Sequence, residues 1–287
     1  MPRGLTCKTY SRIPSPNQPH LTPRLMLVKP NTQLLFTWGS EEFITAMSDV
    51  IYRGYSIEEA LKRVRSDPSL IERRLTQLLR DGHHNVFEFI GASWLIEGSR
   101  ALTHELVRHR IASYWQESQR YVDYAKTPPR FIIPPGIANS LSPLLDRFRD
   151  EYNAIRSVAP PEDARYILPN ATASRIWVLM NGREFFLNFI PLRTGLGAFH
   201  EIRLVAWLMF NSLIEAYPIT ARWVWEHLPK LHPDYCRHVL HMGASRRRVL
   251  EAKYGTRDCR VLSIRSAFDA WGLPIPEPLN GLVNDAH

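Results

Sequence analysis

Residues 108–121, RHRIASYWQESQRY, constrain this chain more than any other stretch. They hold three arginines, a histidine, two serines, two glutamines and one carboxylate. Almost nothing there can fill a core, so the fold must carry the stretch on a surface or cleft held by rigid elements. Fork-shaped guanidinium donors beside hydroxyls suit a phosphate or another flat, acceptor-rich ligand. The bland alternative is a surface salt-bridge network, but only Glu105 and Glu117 lie close enough in sequence to supply it. Positive charge is left unspent, as an anion site requires.

Composition narrows the class. Of 287 residues, 45% are hydrophobic, enough for one substantial core or two small ones. Charged residues make up 22%, which fits a globular chain rather than a disordered one. A net charge of +8 suits anionic partners such as nucleotides, folates, nucleic acid or a membrane surface, and chooses none of them. The three cysteines, Cys7, Cys236 and Cys259, are too few and odd in number for a disulfide framework, so a reducing cytoplasm is expected. The N-terminus lacks the apolar stretch of a secretory signal. The apolar run 204–210, bounded by Arg203 and Asn211, is far too short to span a bilayer.

Five prolines forbid regular structure in residues 1–24, which read as an arm. Short strands are expected at 25–28 and 33–37, and a helix at 40–52. Ser56-Ile57-Glu58-Glu59 is a capping box opening a helix to Arg65. Asp67-Pro68 opens another, ending at Gly82. The apolar, aromatic run 86–96 predicts a strand. Ser99 can cap a helix in which Leu102 and Leu106 share a face, with Arg108 and Arg110 at its C-terminal end and the motif running on into a loop or bend. Further helices are expected at 144–155, 181–192, 198–215 and 219–227, with a strand at 171–180 and another helix in the tail beyond His232. The class is α+β and helix-rich, without βαβ alternation.

Several tempting motifs fail on spacing. His104-Glu105-Leu106-Val107-Arg108 lacks the second histidine that a zinc-protease helix needs at i+4, and His109 lies a further ~100° round the helix. Cys236, His238 and His241, with His232 upstream, have no second cysteine pair and read as ordinary residues on a helix surface. Arg246-Arg247-Arg248 has no aromatic interleaving of the kind that marks a nucleic-acid surface. Gly195-Leu196-Gly197 is too sparse for a dinucleotide loop.

Arg108-His109-Arg110, seven residues, Ser118, one residue and Arg120 form a spaced pattern that resembles the signature of the flavin-dependent thymidylate synthases. Other elements follow in that family's order. Gly82-His83 followed by Glu88 resembles its Gly-His-x-Ser/Thr-x-x-Glu-His element. Arg165 to Pro169 resembles Arg-x-x-Leu-Pro. Asn181-Gly182-Arg183, Asn188-Phe189 and Leu192-Arg193 resemble Asn-x-Arg, His/Asn-Phe and Leu-Arg, and Ala198 with Glu201-Ile202-Arg203 completes the series. The resemblance spans roughly residues 25–225.

It implies a helix-rich body over 25–225 with a small, mostly antiparallel sheet, preceded by an arm over 1–24 and followed by a helical extension over 226–287. It implies a cytoplasmic homotetramer that binds FAD, with active sites between subunits. Such enzymes place the one-carbon unit of 5,10-methylenetetrahydrofolate on C5 of dUMP, with NADPH as reductant, giving dTMP and tetrahydrofolate. Neither a membrane nor nucleic acid is expected as a partner, and no metal is. Arg193 would face the pyrimidine and favour loss of its N3 proton. Ser118, Arg120 and Arg165 would hold the nucleotide, joined by Glu105, Arg108, Gln116, Glu117 and Gln119. Flavin contacts would come from His83, Asn85, Glu88, Arg108, His109, Arg110, Gln116, Asn181, Arg183 and Asn188.

This chain departs from the family pattern at specific places. Glu105 stands where glutamine is usual, and would need a partner such as Arg108. Asn85 replaces a serine or threonine, Phe89 a histidine, and Gly197 a histidine. One extra residue between Arg183 and Asn188 would rotate the helix face unless a bulge absorbs it. Two other readings compete: a relative that methylates another uridylate such as UMP, and a basic nucleic-acid-binding protein that has lost the flavin.

Overall fold

The computed structural model describes residues 26–237 and 243–286. The expected N-terminal arm, His238 and His241 lie outside them. Strands β1 (Met26–Leu27) and β2 (Asn31–Trp38) precede three helices, α1 (Glu41–Arg53), α2 (Ile57–Ser66) and α3 (Ser69–Arg80). Ser40 caps α1 by accepting from the Phe43 N–H, and the predicted Ser56–Glu59 capping box opens α2. Next come β3 (Gly91–Ser99), α4 (Arg100–Leu106), β4 (Ala112–Gln116), β5 (Arg130–Phe131), α5 (Ala138–Arg156), α6 (Pro161–Ala164) and β6 (Ala173–Asn181). A broken helical rod follows, consisting of α7 (Gly182–Glu184), a π turn at Phe185–Phe189, and α8 (Ile190–Thr194). The remainder is helical: α9 (His200–Asn211), α10 (Pro218–Leu231), α11 (Gly243–Tyr254), α12 (Cys259–Ala270) and α13 (Leu279–Asn284). α10 runs across residue 225.

The four-stranded sheet has the order β2-β3-β6-β4 and is antiparallel throughout, as the α+β expectation requires. β1 pairs with β5 in a separate, parallel two-stranded ribbon. Alternation along β3 and β6 buries Ala92, Trp94, Ile96, Ile176, Val178 and Met180 on one face. That face packs on α9 and the rod, and the Trp94 ring stacks on Phe185 with centroids 4.9 Å apart. No helix among the described residues is long and apolar enough to cross a membrane.

Two expectations from the sequence need correction. The strand predicted at 86–96 begins only at Gly91, because His84–Phe89 is a 3-10 turn. Phe87 and Ile90 are buried while Phe89 is exposed, a period of three that an apolar run hides. The stretch expected to be a loop or bend after Arg110 contains strand β4, whose side chains alternate half-buried and exposed against β6. Its polar residues masked the alternation.

The cysteine expectation also fails. Cys236 and Cys259 form a disulfide, with Cα atoms 5.3 Å apart, joining the turn after α10 to the start of α12. Cys236 therefore sits in a turn, not on a helix, and its sulfur is not available to a metal. With the cysteines 23 positions apart, the link should stabilise the fold by about 3 kcal/mol, by restricting the unfolded chain. Melting with and without a thiol reductant, alongside Cys236→Ser, should show a matched drop in Tm. A Tm indifferent to both would sink this estimate.

Candidate active site

The helix α4 ends at Leu106, so Arg108, His109 and Arg110 lie just beyond it and before β4. Two turns of i→i+3 bonds shape the exit, from Arg108 N to Glu105 O at 3.3 Å and from His109 N to Leu106 O at 3.2 Å. The Tyr114 hydroxyl on β4 reaches back to His109 O at 2.7 Å and Leu106 O at 2.9 Å. This clamps the turn from the far side, and burial pushes the phenol's pKa up. The outcome is an inverted exposure pattern: Arg108 and Arg110 point to solvent while His109 is buried.

His109 is held at both nitrogens. Its Nδ1 lies 2.8 Å from Glu184 Oε1, and its Nε2 lies 2.9 Å from Arg193 Nε. A guanidinium Nε–H can only donate, so Nε2 accepts and the proton sits on Nδ1, donated to Glu184. The ring is therefore neutral. Burial lowers its pKa, Glu184 opposes the shift and Arg193 adds to it. The edge of Phe189 closes the ring's other side at 4.9 Å between centroids.

Arg193 is similarly over-determined. Its Nη1 donates to Glu105 Oε2 at 3.1 Å and its Nη2 to Glu105 O at 3.2 Å. Glu105 is thus the partner of Arg193, which corrects the expected pairing with Arg108. Of the five N–H groups of a guanidinium, one on each terminal nitrogen stays uncommitted. Desolvation pulls the arginine's pKa down and Glu105 pulls it back up.

Glu184 is fixed in turn. Asn188 Nδ2 donates to both its oxygens, at 2.9 and 3.0 Å, and its backbone N–H donates to Asn181 Oδ1, the cap of α7. The extra residue before Asn188 is absorbed as the sequence required, by the π turn at Phe185–Phe189. A Cβ at Gly182 would stand 2.8 Å from Phe87 O and 2.7 Å from the Ile90 side chain, so only glycine lets this rod approach the 3-10 turn. The same approach sets Arg183 Nη1 against Glu88 Oε1 at 2.6 Å. His83 and Asn85 are exposed beside it, and Asn85 lines an apolar pocket of about 240 Å³ with Phe43, Met47, Ile51, Tyr52 and Phe89.

The second half of the signature forms another group. Arg175 donates from Nε to Glu117 Oε2 at 2.7 Å, and the Tyr124 hydroxyl donates to Glu117 Oε1 at 3.1 Å. Arg120 pairs with Glu162 Oε2 at 2.6 Å, and Arg165 Nε donates to Glu162 O at 3.2 Å. Ser118 Oγ accepts from Arg120 N at 3.3 Å. Gln116 Nε2 donates to Thr103 Oγ1 and Ser174 Oγ. Gln119 Nε2 is buried with no acceptor. Among the described residues, no hydrogen bond or ion pair joins this group to the one around His109.

With both nearby carboxylates spent elsewhere, the side chains of Arg108 and Arg110 have no hydrogen bond or ion pair among the described residues. The unspent charge read from sequence is larger than expected. Two free guanidinium forks on either side of His109 make a donor-rich set. Such a set fits a ligand rich in phosphate and carbonyl oxygens, as FAD is. Sequence reasoning missed Glu184, Tyr114, Arg175 and Glu162. Only Glu184 carried a signal: it is a carboxylate inside the Asn-x-Arg element, on a rod whose other residues near it are mostly apolar.

An antiparallel sheet backed by helices, with a guanidinium cluster at one end of β4, defines a class of anion-binding α+β enzymes. Residues 33–219, well over half the chain, match the model of the thymidylate synthase complementing protein family. A flavin-dependent thymidylate synthase of Pyrobaculum aerophilum is 44% identical over 91% of this chain and 99% of its own length. One from Pyrococcus furiosus is 35% identical over 63% of this chain and 78% of its own. The fold is shared with a UMP/dUMP methylase, PolB of Streptomyces cacaoi, solved with 5-Br dUMP, at a TM-score of 0.60 and 22% identity, covering 69% of this chain and 96% of that one. This chain belongs to the flavin-dependent thymidylate synthase family, whose members are FAD-dependent methyltransferases.

Proposed function

We propose that this chain moves the one-carbon unit of 5,10-methylenetetrahydrofolate to C5 of dUMP, with NADPH as reductant, giving dTMP and tetrahydrofolate. The observation that carries this reading is the complete 108–120 signature folded around a buried, neutral His109, with Arg108 and Arg110 unpaired on either side of it.

Arg108, Arg110 and Arg183, with His83, Asn85, Glu88 and Gln116, would hold FAD. His109 would serve it from behind, since both its ring nitrogens are bonded within the protein, while Asn181 and Asn188 each commit one side-chain atom to Glu184 and keep the other for the flavin. Bound there, FAD would carry the two reducing equivalents that turn a transferred methylene into a methyl group. Arg193 offers the pyrimidine one N–H from each terminal nitrogen, and its fixed charge favours loss of the N3 proton as negative charge builds on the ring. Arg120, Arg165, Ser118 and Gln119 would grip the nucleotide, with Arg120 exchanging the Glu162 carboxylate for phosphate. Both ends of that exchange are solvent-exposed, so the ion pair given up is worth little. Glu117 braces the segment through Arg175 and Tyr124 rather than touching the anion, which it would repel.

Among the described residues of one subunit, no hydrogen bond or ion pair joins the two halves of the signature. A homotetramer whose copies close each other's sites would join them. The body over 25–225 would carry the chemistry, with the helices of 226–287 bracing it. The cytoplasm, where nucleotide, folate and nicotinamide pools meet, is the compartment this reading implies.

Flavin uptake tests the reading simply. Titrated with FAD, the purified protein should take up one flavin per chain and retain its visible absorbance through gel filtration. A protein that stays colourless would contradict the assignment.

A further inference from the structure

Glu184 and Arg193 lie nine residues apart on one helical rod, yet they bind the two nitrogens of a single imidazole. In an uninterrupted α-helix nine residues amount to about 900°, which would put the two side chains on opposite faces. The π turn at Phe185–Phe189 lies between them and widens the winding, which rotates Arg193 back toward the face of Glu184. The side chains of Glu184 and His109 are each only 3% exposed, so no water competes for either. Both oxygens of Glu184 are engaged by Asn188, and one also receives His109.

From this geometry we infer that Glu184 is the positioning residue for Arg193: it fixes the His109 proton on Nδ1, so that Nε2 must accept from Arg193 and aim the guanidinium. The inference rests on the proposed reaction, in which Arg193 meets the pyrimidine. The logic is one of tautomers. Without an acceptor at Nδ1, the imidazole can carry its proton on Nε2 instead. Two N–H groups, His109 Nε2 and Arg193 Nε, would then face each other across 2.9 Å, and the guanidinium would swing away from that repulsion. Glu105 would still hold the terminal nitrogens, so the expected result is misaligned charge rather than lost charge.

The test uses the flavin-loaded holoenzyme and measures kcat and KM for dUMP in five proteins: wild type, Glu184→Ala, Glu184→Gln, His109→Ala and the double variant Glu184→Ala/His109→Ala. Glu184→Ala should lower kcat by about 10–100-fold with KM for dUMP changed less than about threefold, since a misaligned group costs orientation more than binding. Glu184→Gln should recover most of kcat, because its amide oxygen still accepts from Nδ1–H while Asn188 turns its own oxygen toward the new NH₂. The double variant should be no slower than the slower single one, as expected when one residue acts through the other.

Wild type that binds flavin but does not turn over dUMP would overturn the proposed reaction itself. With an active wild type, three results would overturn the inference alone: undiminished kcat in Glu184→Ala, a glutamine variant as slow as the alanine one, or multiplying effects in the double variant. If the alanine variant fails to fold, the glutamine variant still decides, since near-wild-type kcat supports the inference and a large loss defeats it.

Discussion

Replacing Arg193 with alanine should lower kcat by about 10²–10³-fold while FAD stays bound, the loss seen when one preorganised donor to a developing anion is removed. The structure explains why so large an effect should come without unfolding. Arg193 is held by His109 and by both the carboxylate and the carbonyl of Glu105, and its side chain is 16% exposed. Truncation leaves Glu105 partly exposed and able to hydrate, and leaves His109 still bonded to Glu184. Arg193→Lys should recover little, because an ammonium cannot satisfy His109 Nε2 and Glu105 while also presenting a planar fork. Kinetics combined with flavin absorbance check this. Loss of the flavin in Arg193→Ala would show that the residue is a cofactor ligand instead.

Glu201 supplies the second large effect, on stability. Its carboxyl, in the first turn of α9, is 2% exposed, with Ser99 N and Ser99 Oγ as donors at 2.7 and 2.6 Å. Burial outweighs these bonds, and the nearby Glu105 adds to it, raising the pKa from 4.5 to about 7. A carboxyl whose folded pKa is raised favours the native state fully below 4.5. That contribution is lost as pH climbs from 4.5 through about 7, because the unfolded carboxyl ionises in this range while the buried one holds its proton, and above it the folded protein carries a buried charge at the full cost. The full span is worth about 3 kcal/mol. Glu201→Gln removes the ionisation and preserves both contacts: its oxygen still accepts from Ser99 N, while its NH₂ donates to Ser99 Oγ, reversing that bond onto the second lone pair of an oxygen that already accepts from Leu102 N. Denaturant unfolding at pH 6 and pH 8.5 should show the variant gaining on wild type by roughly 1.4 kcal/mol at the higher pH, most of the span having been lost already by pH 6. An equal difference at both pH values would mean that Glu201 does not titrate in this range.

Much of this was legible in the sequence where local chemistry decides the outcome. The capping box at Ser56 follows from side-chain and backbone preferences a few residues long. The spacing of the signature gave the family, and the extra residue before Asn188 pointed to a bulge that the rod does contain. What stayed hidden depends on contacts between distant elements. β4 exists because β6 offers it a ladder, and its own polar residues say loop. The 3-10 turn at His84–Phe89 packs closely on Gly182, nearly a hundred positions away. Glu105 was expected to pair with its neighbour Arg108, but helix α4 delivers it to Arg193. Two cysteines among three gave no parity signal, and only the packing of α12 beside the turn after α10 brings them together. A signature therefore names residues more readily than it names their partners.

Methylation of dUMP at this site can be read from the hydrogen lost at C5. Tritium release from [5-³H]dUMP in the presence of FAD, NADPH and 5,10-methylenetetrahydrofolate, run beside [5-³H]UMP, tests it directly. The account predicts release from dUMP that requires all three additions, with dTMP formed in equal amount and UMP used poorly. No release from dUMP by flavin-loaded protein, or release from UMP alone, would contradict it.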